Sequence, residues 1–112
     1  MITIILLFAI AAVFGISLII PVLGGKTPSR PLVFAHGGIA AFALVLLLLQ
    51  FFKEGSTVPQ WSVILFVVAA LGGFILFAID FQKKSIPKGL ALIHAGAAVA
   101  AFLILLFSVI NL

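Results

Sequence analysis

The second half of this chain repeats the first, without a gap, at an offset of 58 residues, the interval between its only two histidines, His36 and His94. The same interval pairs Gly15 with Gly73, Gly38 with Gly96, Lys26 with Lys84, Thr27 with Ser85, Arg30 with Lys88 and Leu32 with Leu90. Phe8, Ala11 and Ala12 likewise match Phe66, Ala69 and Ala70. Such a chain is constrained to build one unit twice. Any symmetric packing of the two copies places the histidines in equivalent surroundings at one depth.

The unit is a pair of apolar runs. Ile2 to Leu23, Leu32 to Phe52, Val58 to Ile79 and Ile86 to Ile110 are each long enough to cross about 30 Å of hydrocarbon at about 1.5 Å per residue. Only 7% of the 112 residues are charged and 66% are hydrophobic, too little polar surface to coat a water-soluble globule. The sequence therefore predicts an all-α integral membrane protein, a four-helix up-down bundle made of two tandem helical-hairpin repeats. It is read as one transmembrane domain over 1–112, with repeat 1 covering about 1–54 and repeat 2 about 59–112. Absence of cysteine removes disulfides, thiolate metal sites and iron–sulfur clusters. The first run starts at Met1 with no basic residue before it and is longer than a secretory signal core, which predicts a retained helix. The net charge of +4 comes from basic residues that mostly flank the apolar runs, so it reads as topology, not nucleic-acid binding.

The connections differ in charge. Lys26 and Arg30 lie in the first and Lys83, Lys84 and Lys88 in the third, whereas the middle one holds Lys53 beside Glu54. By the positive-inside bias, both basic loops face the cytoplasm and both termini face outward, as expected in a bacterial inner membrane. Two spans per copy insert both hairpins the same way up, related by a pseudo-twofold axis along the membrane normal. Short loops favour sequential neighbours, so a square bundle puts helices one and three on one diagonal and the histidine-bearing helices two and four on the other.

His36 follows Pro31 by roughly 8 Å of helical rise and His94 follows Pro87 by roughly 10 Å, so both lie at nearly one depth near the basic end. Ionisable side chains within a span turn inward by default, towards a partner or a cavity. Small residues surround this layer: Gly38 and Gly96 beyond the histidines, and Gly15, Gly72 and Gly73 on helices one and three. With neighbouring axes about 8–10 Å apart the diagonal is roughly 11–14 Å, which suits two imidazoles holding one iron. The glycines are expected to let a flat macrocycle extend sideways. Its carboxylates would then reach Lys26, Arg30, Lys84 and Lys88.

Carried by His36, His94, Gly15, Gly72 and Gly73, this layout resembles the four-helix haem core of membrane b-type cytochromes. There, ligand histidines lie on the second and fourth helices and glycines on the first and third. The resemblance covers the arrangement of the spans, not a long motif, and it implies haem b as cofactor and a quinone or membrane redox protein as partner. Such cytochromes commonly carry two histidines on each ligand helix, whereas this chain has one. At most one bis-histidine haem follows.

Other readings of the same residues stand beside this one. Histidine also serves as a polar joint between membrane helices, with glycine and alanine allowing close approach, which suits a cofactor-free accessory or interaction subunit of a membrane complex or homodimer. Zinc is disfavoured, since even a catalytic site keeps three protein ligands. Span count and length are similar to the small multidrug-resistance exporters, yet the first span lacks the membrane-embedded glutamate on which they depend. Asp80 has Val22 as its repeat partner and so stands outside the symmetry. Lys83 and Lys84 follow at the spacing of a local salt bridge, and a hydrogen bond to a histidine ring is the alternative.

Overall fold

A computed structural model describes residues 1–110, which form four helices: α1 Ile2–Leu23, α2 Arg30–Phe51, α3 Gln60–Phe81 and α4 Lys88–Ile110. Residues 111–112, at the end of the second repeat, lie outside the described residues. Each helix is long and apolar enough to cross a membrane. The exposed side of α1, formed by Ile2, Leu6, Ile10 and Val13, is a lipid-facing surface, not one for water.

Prolines set the helix ends that apolar run length alone misplaces. Pro31 falls in the first turn of α2, where a missing N–H costs no intrahelical bond, so the helix starts two residues before Leu32. Pro59 is extended (φ −64°, ψ 127°) and caps α3, which begins after Val58 and continues past Ile79 to Phe81. Ile86 precedes a proline and is thereby kept out of α4. Helices α1 and α3 end in the same turn. The Lys26 amide donates to the Pro21 carbonyl and the Lys84 amide to the Ile79 carbonyl. The preceding residue is left-handed in both, Gly25 at φ 77° and Lys83 at φ 59°.

Helix α1 packs against α2 and α4, and α3 against α4 and α2, giving the square up-down order. Packing is closest within each hairpin, α1 with α2 and α3 with α4. On the α1–α3 diagonal the repeat partners Phe8 and Phe66 stack face to face, with ring centroids 4.0 Å apart and planes 8° apart. Equivalent residues in direct contact mark the pseudo-twofold axis. Around and beyond this stack, towards the end opposite the basic loops, lies the closed core of Ile4, Ile5, Ala43, Leu47, Val63, Ala101 and Leu105. The copies differ in one buried polar link: Ser62 Oγ donates to the Ala101 carbonyl at 2.9 Å, where the first copy has Ile4.

Candidate histidine site

Between the closed core and the basic end the helices turn small, and each histidine fills the space so made on its own hairpin. His36 Nδ1 lies 2.7 Å from the carbonyl oxygen of Ala11, and His94 Nδ1 lies 2.7 Å from that of Ala69. A carbonyl only accepts, so each Nδ1 carries a proton and donates. In the neutral ring this leaves Nε2 as the lone-pair nitrogen, and among the described residues neither Nε2 makes a hydrogen bond. The donor–acceptor pairs are themselves related by the 58-residue interval, since Ala11 and Ala69 are repeat partners.

Glycine makes these contacts possible. A Cβ at Gly15 would stand 3.0 Å from His36 Cε1, and one at Gly73 would stand 3.1 Å from His94 Cε1. Gly72, whose counterpart is Phe14, adds a second close approach, 3.5 Å from His94 Cβ. The two half-buried rings then face each other across the α2–α4 diagonal with centroids 6.1 Å apart and planes 88° apart. About 6 Å is also the spacing two imidazoles reach when each sets Nε2 about 2 Å from one shared ion.

Of the residues singled out in the sequence, His36, His94, Gly15, Gly72 and Gly73 come together in this layer. Gly38 and Gly96 do not. They are exposed, with open space where a side chain would be. Arg30 and Lys84 line a polar cavity at the basic end together with Thr27, Asp80, Lys83 and Ser85, while Lys26 and Lys88 are not among its lining residues. As a donor set, two imidazole nitrogens would be chemically suited to ligating one iron. The glycine notches add no room for a macrocycle, because the imidazoles themselves fill them. Among the described residues no group of three or more His, Asp or Glu side chains converges as a metal cluster would require.

Asp80 is neither surface-paired with its neighbours nor bonded to a histidine. It is buried, and its Oδ2 lies 3.4 Å from Arg30 Nε, while Arg30 Nη2 donates to the Asp80 carbonyl at 3.3 Å. The local pair with Lys83 and Lys84 fails because the helix ends at Phe81 and Lys83 turns left-handed, which breaks the three- and four-residue spacing. Arg30 also sits over the Phe81 ring, 5.5 Å from its centroid, and Phe34 meets Phe77 edge-on at 5.6 Å. The α2–α3 seam is thus clasped. The equivalent α1–α4 seam has Val22, Lys88, Leu92 and Ile19 at the matching positions.

Comparison with protein-family models, curated proteins and solved structures finds no match to this chain.

Proposed function

We propose that this integral membrane protein holds one haem b iron between His36 and His94, as a one-electron carrier or as a haem-holding subunit beside a quinone or membrane redox protein. One observation carries the reading. Both Nδ1 atoms are committed to backbone carbonyls, which leaves two Nε2 lone pairs in one layer on rings 6.1 Å apart. This is the outer bond that metal-ligating histidines use to fix tautomer and ring orientation. His36 and His94 would hold the haem, which would supply a one-electron iron couple; with both histidines bound, no position would be left for substrate. The chain's own part is positional: Ala11 and Ala69 hold the rings, and the apolar helices keep water from the layer. Because those bonds lie within hairpins, room for a macrocycle can come only from the seams between them. On the charge bias of the loops, this reading puts the basic end on the cytoplasmic side and both termini outside, in a membrane read here as a bacterial inner membrane.

A second reading is favoured by the filled notches. Ring, carbonyl and glycine make a complete interhelical joint, as a cofactor-free accessory or interaction subunit needs. Absorption spectra of the detergent-purified protein, from cells with ample haem supply, separate the two. A stoichiometric b-type spectrum, lost in both His36→Ala and His94→Ala, is the expected result. Colourless, helical protein that takes up no haem on reconstitution refutes the haem reading.

A further inference from the structure

At the basic end, where α1 and α3 run out and the chain leaves the apolar spans, a cavity of about 520 Å³ opens between the first and third connections. The residues that line it are Thr27, Arg30, Asp80, Lys83, Lys84 and Ser85, all of polar or charged type, with their aliphatic stems forming part of its wall. Thr27 and Ser85 are repeat partners, so the two hydroxyls come from equivalent points on either side of the pseudo-twofold axis. The Asp80 carboxylate is held by Arg30 at 3.4 Å, which balances one positive charge with one negative. Lys83 and Lys84 make no ion pair among the described residues and leave the cavity cationic. Two lysine ammonium groups with two hydroxyl donors form a site for a compact oxyanion.

We propose that this cavity seats the phosphate of an anionic phospholipid headgroup. Position selects the lipid over a free anion. The cavity lies level with the helix ends, where headgroups lie, and the adjoining α3 surface presents exposed Phe74 and Phe81, against which acyl chains can lie. Basic pockets at this level between transmembrane helices bind anionic headgroups by the same chemistry. A diffuse basic loop would attract anionic lipid too, but without hydroxyl donors and without preference for particular lysines.

The test uses the full chain in nanodiscs of mixed phosphatidylglycerol and phosphatidylcholine, read by native mass spectrometry for the lipid retained. Phosphatidylglycerol is expected to be retained preferentially. Each neutralised cavity lysine weakens this by about fivefold, so Lys83→Gln/Lys84→Gln loses roughly 25-fold. Lys53→Gln, at the opposite end, leaves it unchanged. Arg30 and Asp80 are untouched in these variants, and circular dichroism verifies the bundle. Equal retention of the two lipids overturns the proposal, as does an equal loss in Lys53→Gln. An excess of inorganic phosphate is the remaining arm. If it displaces phosphatidylglycerol as effectively as an anionic lipid does, the cavity takes free phosphate and the lipid assignment falls.

Discussion

Substituting alanine for Gly73 tests whether the glycines exist to admit the histidine rings. The new Cβ would sit 3.1 Å from His94 Cε1 and 3.6 Å from Nδ1, against an optimal carbon–carbon separation of about 3.5–4.0 Å. The ring must therefore retreat by roughly half an ångström or more. That stretches the 2.7 Å bond to Ala69 towards or past about 3.2 Å, the outer limit of a good N–H···O bond. Interhelical hydrogen bonds in membranes average about 0.6 kcal/mol and reach about 1.7, so the expected loss is ~1 kcal/mol. Alanine's better helix propensity recovers a similar amount, up to about 1 kcal/mol, and leaves the single variant near neutral. The signal is in the cycle. With His94→Ala already present, Gly73→Ala meets no ring, so the pair should couple by ~1 kcal/mol, read from reversible unfolding of haem-free protein in mixed micelles. Gly15 with His36, at 3.0 Å, should match it. Gly96→Ala, in open space, should not couple to His94 at all. Additivity within about 0.3 kcal/mol at Gly73, or equal coupling at Gly96, refutes the notch.

Three further outcomes follow from other contacts. Asp80→Val leaves Arg30 without its partner and should cost about 1 kcal/mol in the same assay, held down by the exposure of Arg30, while Asp80→Val with Arg30→Leu should cost less. A double variant as damaged as the single one would count against the clasp. Ser62→Ala removes a buried bond from the second hairpin and should cost about 0.6 kcal/mol, with Ile4→Ser on the first hairpin giving no matching gain; a Ser62→Ala variant as stable as the parent contradicts this. Phe8→Ala and Phe66→Ala should couple by about 0.5–1.5 kcal/mol through their stack, and independence of the two would displace the axis.

The helices, their order and the facing histidines were legible because apolar run length, loop shortness and the repeat each leave marks on the sequence. What acts through the backbone leaves none. The carbonyls of Ala11 and Ala69 accept the histidine bonds, yet nothing in an alanine advertises its carbonyl, although both stood in a matched run. Glycine was ambiguous for a related reason: a missing side chain records that space is needed but not by what. Helical phase would have separated the two kinds, since Gly38 and Gly96 stand two residues past the histidines, about 200° around the helix. The pairing of Arg30 with Asp80 joins residues from different copies. It was hidden because nearby lysines offered a local partner that the end of the helix then removed.

That clasp gives a twofold design two unequal sides. Duplication alone would build identical seams, so that anything entering or leaving between the hairpins would do so from either direction. With an ion pair, a cation–aromatic contact and an edge-on phenylalanine pair at α2–α3, and Val22, Lys88, Leu92 and Ile19 at the matching α1–α4 positions, parting the hairpins would break polar and aromatic contacts on one side that have no counterpart on the other. Anything that entered between the hairpins from the acyl chains would therefore meet unequal resistance on the two flanks of the bundle.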